Sequence, residues 1–372
     1  MAKKPTYDST ITLTVAALVV IGIVMVFSSS YANALVNFKD GYFYLKKGLM
    51  WGALGTFAMY FCARFPYYKW ERYANLLFFF SIGLLILVLT PVGTEINGSQ
   101  RWITIAGQTI MPSEIAKFCA IIYVSTTITR KKDKIKSFVY GVLPYLLIIG
   151  MYFSLIYFQP DLSTAFVLGV VIMSIVFVGG MKLTHFIGLA LTGLGAISSL
   201  IAYIVIKGDS YKARRITAFL DPWADPSASG FQVIQSLLAL GSGGLFGRGL
   251  GRSVQKHFYL PEPQNDFIFA IIGEELGFIG GTVVLLLFLI LIWRGVRIAM
   301  NAPDLQSCLL ATGIIALITI QVIINIAVAT SSMPVTGMPL PFISSGGNAL
   351  VVFMALTGIL LNISKHINPD RR

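Results

Sequence analysis

Charge is scarce in this chain. Only 12% of its 372 residues are Asp, Glu, Lys or Arg, against 56% hydrophobic, and the mean hydropathy is +0.78. A water-soluble domain of this length needs far more polar surface, which excludes that class. Cysteine is scarcer still. The three residues Cys62, Cys119 and Cys308 each lie in or beside an apolar stretch. An odd, scattered set excludes a disulfide framework and a cysteine metal cluster. Acids are few, 16 against 28 bases, and the net charge is +12.

What is abundant is hydrocarbon. Runs such as Ile11 to Tyr31, Leu76 to Thr90 and Phe267 to Trp293 approach or exceed the ~20 apolar residues that cross a bilayer. The pattern predicts an all-α polytopic membrane protein with ten transmembrane helices, at about 11–31, 44–63, 73–91, 112–129, 138–157, 162–180, 184–206, 267–293, 307–331 and 343–363. The whole chain, 1–372, reads as a single membrane domain. An even number of spans puts both termini on one side, and Lys and Arg decide which. With the N-terminus inside, the inner segments hold 16 of the 28 bases, from Lys3, Lys4 and Arg64 through Arg130 to Lys136, and on to Arg294, Arg297, Lys365, Arg371 and Arg372. The short outer segments hold Lys39, Lys46, Lys47 and Arg101. Both termini are therefore expected in the cytoplasm of a multi-pass cell-membrane protein. The first run is longer than the apolar core of a signal peptide and reads as an anchor. The positive charge follows the inner-loop bias and suits an anionic leaflet; it is not a sign of nucleic-acid binding.

One connection is long. Residues 207–266 form a large extracellular loop between helices 7 and 8, and long connections in compact proteins are usually functional. Within it, Gln232 to Leu240 has helical spacing with polar positions, as a re-entrant or interfacial helix would. The loop carries Lys207, Lys212, Arg214, Arg215, Arg248, Arg252 and Lys256, against the usual bias. A solvated charged surface and an outer-face anion site both fit that cluster, and a phosphate-bearing lipid is the natural anion.

Acids near hydrocarbon are the sharpest signal, because a carboxylate there is expensive and marks function by default. Asp266 stands at the mouth of the eighth span, placed to cap its helix, and Glu274 and Glu275 follow inside it. Counting ~100° per residue, Glu274 falls about 80° round from Asp266 and Glu275 nearly opposite. Only Glu274 can then share a cavity with Asp266, while Glu275 is placed to bond a neighbouring helix. Asp161, in FQPDLST, is an N-cap candidate for the sixth span. Glu114 opens the fourth span after Pro112 and Ser113, and Lys117 lies three residues on, within pairing reach. A structural ion pair and a functional one both account for these two. Arg101 and Trp102 precede them in NGSQRWITIAG, where Trp anchors an interface and Arg either binds phosphate or snorkels. Near the end, SSMPVTGMPLPFISSGGNAL brings three prolines and three glycines to membrane depth, with Ser344 as a substrate-binding candidate. Irregular backbone at that depth belongs in protein or along a wet cavity, so the segment reads as a cavity wall. Asn325, in the ninth span, needs a polar partner there.

Taken in order, NGSQRWI, MPSE with Lys117, QPDLST, SGGLFGRGLGRSVQKHFYLPEPQNDFIFAIIGEELG and PVTGMPLPFISSGG resemble the SEDS family (RodA, FtsW, SpoVE) from the first span to the last. The family is similar in its ten spans, its large loop before the eighth and its cytoplasmic termini. Family members often carry Arg where Gln100 stands, Gln where Met111 stands, and Tyr and Ser where Ser345 and Asn348 stand; the first removes one arm of a two-Arg phosphate clamp. The wording of PEPQNDFIF and PVTGMPLPF is nearer the division and sporulation branch than the elongation branch.

The resemblance implies a peptidoglycan glycosyltransferase. It would polymerise lipid II, a disaccharide-pentapeptide on undecaprenyl diphosphate, at the outer membrane face. It implies a class B penicillin-binding protein and other divisome components as partners. The family's essential acid matches Asp266, and its important polar positions match Arg101, Glu114, Lys117 and Asp161. Positive charge for the leaving diphosphate would come from Arg101, Lys117, Arg214, Arg215 and Arg248, or from a divalent cation (Mg or Mn), although the sequence shows no closed ligand set. Two rivals remain at this level: a lipid II flippase using Glu114, Lys117 and Asp161 as midplane steps, and a scaffold that only recruits the transpeptidase. A scaffold leaves the burial of Glu114 and Lys117 unexplained.

Overall fold

The computed structural model describes residues 7–367 except 97, 106, 208–218, 225, 227–229, 257–259 and 261, with backbone alone at 196, 197, 200, 201 and 204–207. Eleven α-helices lie among the described residues: α1 (Ser9–Phe38), α2 (Phe43–Arg64), α3 (Trp70–Val88), α4 (Pro112–Arg130), α5 (Leu143–Tyr157), α6 (Leu162–Val178), α7 (Leu183–Lys207), α8 (Phe231–Ser242), α9 (Ile268–Met300), α10 (Leu305–Ala329) and α11 (Gly347–Lys365). Apart from α8, each covers one of the ten stretches read as spans. Six spans, carried by α1, α3, α5, α9, α10 and α11 with short extensions, are long and apolar enough to cross a membrane. The α8 helix is the short polar-spaced piece expected within the long loop.

The all-α expectation needs one correction. Between α3 and α4 a three-stranded antiparallel sheet runs β1 (Gly93–Ile96), β2 (Ser99–Ile105) and β3 (Gln108–Ile110) in sequence order. The second half of Ser99–Ile105, Trp102 to Ile105, is aromatic and β-branched, which favours a strand, and Ile103 is its one buried position. Gly98 and Gly107 supply positive φ at the two turns.

The helices pack around α10 and α11, the two whose spans are most buried. α11 lies against α2, α10 and α4, and α9 lies between α1 and α10. The bundle has two polar ends. At one, Asp8 caps α1 through Ile11 N–H (3.2 Å), pairs with Arg294 of α9 (2.5 Å) and donates its own N–H to Ser364 of α11. Beside it Asp304 caps α10 with a capping box and accepts from the Tyr67 hydroxyl at 2.5 Å, while Asn362 bonds Tyr67 N–H and the Ala63 carbonyl. The other end gathers the start of α9, the start of α6, the start of α4, the sheet and the irregular 331–346 segment.

Candidate active site

α9 is not a continuous helix. Gly277 sits at φ 69°, ψ −168°, breaking the ladder ~14 Å into the helix at 1.5 Å per residue. The freed backbone groups are taken up by the segment after α8. Arg248 and Gly249 N–H donate to the carbonyls of Glu274 (2.9 Å) and Glu275 (3.0 Å), and Phe278 and Ile279 N–H donate to those of Gly244 (2.9 Å) and Leu245 (3.2 Å). This answers the demand that irregular backbone in hydrocarbon be paired within protein. A Cβ at Gly243 would stand 1.9 Å from the Gly273 carbonyl oxygen, and one at Gly247 2.2 Å from that of Glu275, so the two chains meet only because the run SGGLFG is nearly bare. Part of the expected outer loop therefore enters the bundle as a clasp on α9.

Both glutamates serve that clasp. The carboxylate of Glu275 accepts from Ser28 of α1 (2.6 and 2.8 Å), from Lys256 (2.9 Å) and from Ser253 N–H (3.3 Å). This is the neighbouring-helix bond its position implied. The carboxylate of Glu274 is fully buried and accepts from Ser253 hydroxyl (2.5 Å), Val254 N–H (2.9 Å) and Gln255 N–H (3.4 Å), with Arg248 at 3.7 Å. Both of its oxygens are thus occupied by the 248–256 segment, rather than opening onto a cavity shared with Asp266. Arg248 is correspondingly drawn to Glu274 with its guanidinium half-exposed.

Asp266 is half-buried just before α9. It does not cap that helix; Phe267 holds the N-cap position and no side chain bonds there. What fixes Asp266 is its backbone: the Asn325 amide of α10 donates to the carbonyls of both Asp266 and Met338, each at 2.9 Å. The irregular segment is thereby drawn alongside, and a Cβ on Gly337 would lie 3.7 Å from Asp266 Oδ2. Ser345 N–H donates to the Gln264 carbonyl at 3.0 Å, and its hydroxyl bonds Asn265. The segment is buried at Met338, Leu340, Phe342 and Ile343, as its place at membrane depth requires.

From Met338 the site reaches α6. The Thr164 hydroxyl approaches the Met338 sulfur at 3.8 Å, and Thr164 N–H donates to Asp161 Oδ1 at 3.2 Å, the expected cap. Asp161 Oδ2 is buried with no partner among the described residues. Arg101 of β2 spends its guanidinium on the carbonyls just before this cap, Gln159 at 3.0 Å and Pro160. It therefore shapes the turn at Asp161. On α4, Lys117 and Glu114 pair at 2.7 Å, both buried, and Lys117 lies 5.7 Å from the Phe353 ring, which packs on Phe342. Glu114 Oε2 and Ser113 Oγ have no partner among the described residues. Ser344 lines a groove with Gly22, Trp51 and Leu350. Arg214 and Arg215 lie outside the described residues.

Sequence reasoning passed over Ser28 and Gln321, and took Lys256 only as one base of the loop cluster. Gln321 is fully buried on α10, one turn before Asn325, with neither end of its amide bonded. Its signal was available: two amides four residues apart in an apolar span define a polar stripe. Ser28, within VFSSS, was one of several small hydroxyls that helix interiors absorb by back-bonding, as Ser29 and Ser30 do here.

Comparison with known proteins bears on this geometry. The family model for cell cycle proteins of the FtsW, RodA and SpoVE type matches residues 8–368. The chain belongs to that family. It is 45% identical over 365 residues to stage V sporulation protein E of Bacillus subtilis, covering 98% of each chain. It is 40% identical over 365 residues, again 98% of each, to a probable peptidoglycan glycosyltransferase FtsW of a Geobacter species. Among solved structures, a chain from a peptidoglycan synthase complex, described for its structural coordination of polymerization and crosslinking, superposes with a TM-score of 0.79 at 29% identity, covering 98% of this chain and 99% of that one. The rod shape determining protein RodA of Thermus thermophilus gives a TM-score of 0.71 at 27% identity, covering 96% of each.

Proposed function

We propose that this member of the family is an inverting peptidoglycan glycosyltransferase that polymerises lipid II at the outer face of the cytoplasmic membrane, in division or sporulation septal wall synthesis. Its FtsW relatives carry the glycosyltransferase name. The observation that carries the reading is the half-buried Asp266, backbone-pinned by Asn325 beside a wall of irregular chain. Such a residue has a fixed backbone and a carboxylate that is only half-buried. Asp266 takes the proton from the acceptor sugar 4-hydroxyl as that oxygen attacks the anomeric carbon. The new C–O bond forms as the bond to undecaprenyl diphosphate breaks, with inversion, and the diphosphate departs with the electron pair. A base held within hydrogen-bond reach contributes ~10²–10⁴-fold.

The departing diphosphate calls for positive charge. Arg248, half-exposed and drawn to Glu274, is the candidate for that role. Lys117 and Arg101, committed to Glu114 and to two carbonyls, act through the local field and the shape of the wall. A divalent cation, magnesium or manganese, supplies charge neutralisation of the same kind when bound. Among the described residues no three His, Cys, Asp or Glu side chains gather to hold one, and no step is routed through it.

Ten spans, with both termini in the cytoplasm, place the Asp266 end outside and the Asp8–Arg294 end inside. This orientation accords with the basic residues that crowd the latter, Arg294, Arg297 and Lys365. Reporter fusions at either terminus should report the cytoplasm, and a periplasmic or extracellular signal from either overturns the orientation. The partners we assign are a class B penicillin-binding protein, which cross-links the new strand, and the divisome around it. Purified protein with that partner and labelled lipid II tests the activity. Glycan polymer on a gel, abolished by Asp266→Asn, supports the enzyme. Lipid movement across vesicles without polymer replaces it with a transporter.

A further inference from the structure

The chain just before Asp266 holds a backbone conformation that its residues do not favour. Glu262 sits at φ 48°, in the left-handed region, which glycine enters freely and a residue with a Cβ does not. A residue keeps such an angle only where its surroundings fix it, and such residues gather at functional sites. Phe342, in the irregular segment alongside, is another, at φ 65°.

Glu262 is fixed by its own side chain. One carboxylate oxygen, Oε2, accepts from Gln264 Nε2 at 3.0 Å and from Asn265 Nδ2 at 2.8 Å. The Glu262 carbonyl accepts from Asn265 N–H at 3.0 Å, which closes a turn. With its donor end on Glu262, the Asn265 amide presents its oxygen to the Ser345 hydroxyl, and Ser345 N–H donates to the Gln264 carbonyl at 3.0 Å. Residues 262–265 thus form a clip, closed by an acid at one end and tied to the irregular segment at the other. Asp266 follows directly. Its carbonyl is held by Asn325, so its backbone is gripped on both sides.

We infer that Glu262 is a positioning residue for Asp266, acting through this clip. The inference rests on the reading of Asp266 as the base and adds what aims it. A base works only within hydrogen-bond reach of its proton, and a misplacement of ~1 Å can cost ~10²-fold. An ionised acceptor suits the task, because hydrogen bonds to a charged oxygen are the stronger ones. Glu262 itself is exposed, so shortening it opens no cavity in the core.

Three substitutions in the purified full-length protein separate aiming from folding. Glu262→Ala removes the acceptor and keeps the strained angle; kcat for lipid II polymerisation should fall ~10–100-fold, with the KM for lipid II little changed. Glu262→Gly removes the acceptor and relieves the angle. It should melt no lower than Glu262→Ala yet lose as much turnover. Glu262→Gln keeps an acceptor on the same stem and should recover most of the rate. Wild-type turnover in Glu262→Ala overturns the inference, as does turnover that simply follows melting temperature across the three. A loss in Glu262→Gln as deep as in Glu262→Ala also overturns it, since the charge and not the clip would then matter. Hydrogen exchange over residues 262–266 reads the clip without any reaction. It should be ~10-fold faster in Glu262→Ala and near the wild-type rate in Glu262→Gln; unchanged exchange in Glu262→Ala overturns the clip. Faster exchange in Glu262→Ala, where the wild type makes no polymer, supports the clip and removes the glycosyltransferase reading instead.

Discussion

The two polar ends of the bundle are built from similar residues and treat them differently. At the Asp8 end both oxygens of Asp8 and both of Asp304 have partners: Asp8 serves Ile11 N–H and Arg294, and Asp304 serves Ser307 N–H and Tyr67. At the Asp266 end Glu114 Oε2, Asp161 Oδ2, Gln159 Oε1 and Asn325 Oδ1 are buried without one among the described residues. An unpaired buried polar atom costs ~1–3 kcal/mol, and a fold tolerates several together only where something else repays them. Full pairing marks a fastening. Incomplete pairing beside a reachable carboxylate marks a place for a polar ligand.

That contrast can be broken or sharpened by substitution. The largest effect should come from Asp266→Asn, which removes the base and should lower polymerisation by ~10²–10⁴-fold while the melting temperature stays near that of the wild type. A parallel loss of melting temperature would recast Asp266 as a fastening. Next comes the clasp. Lys256→Met leaves the carboxylate of Glu275 buried beside Ser28 and Ser253 without its cation, and breaking a buried pair costs about 3–5 kcal/mol. Thermal unfolding in detergent should fall sharply, and Lys256→Met combined with Glu275→Gln should recover part of the loss. If the double variant is worse than the single, the pair is not what holds the segment. The smallest effect belongs to the other end. Asp8→Asn should weaken the contact with Arg294, whose side chain keeps some exposure, and cost ~1–3 kcal/mol. Polymerisation per folded molecule should not change. A specific loss of turnover there would mean that the two ends communicate.

Much of this was legible in the residues. Apolar run length located the helices, because hydrocarbon thickness fixes a minimum and leaves few alternatives. The Asp161 cap followed from an acid one residue before a run, and the Glu114–Lys117 pair from spacing alone. Three features were not readable. The sheet at 93–110 hid in what looked like a connecting loop, since a seven-residue strand carries less periodic signal than a span. The role of Glu274 depended on a partner segment some 20 residues away in sequence, and helix angle says nothing about what another chain segment brings. Asp266 looked like a cap because it stood before the helix, but the structure starts that helix after Phe267 and holds Asp266 from behind, through Asn325. Side-chain partners across a bundle are decided by packing, which local sequence does not record.

Four hydrogen bonds between the 244–249 stretch and broken α9 run from main chain to main chain. Side chains that project from it, Leu245, Phe246 and Leu250, are largely exposed. Evolution is therefore free to repaint that outward surface to suit a different lipid or a different neighbour, provided the bare positions stay bare. Within one architecture, the mechanism and the company it keeps can change independently.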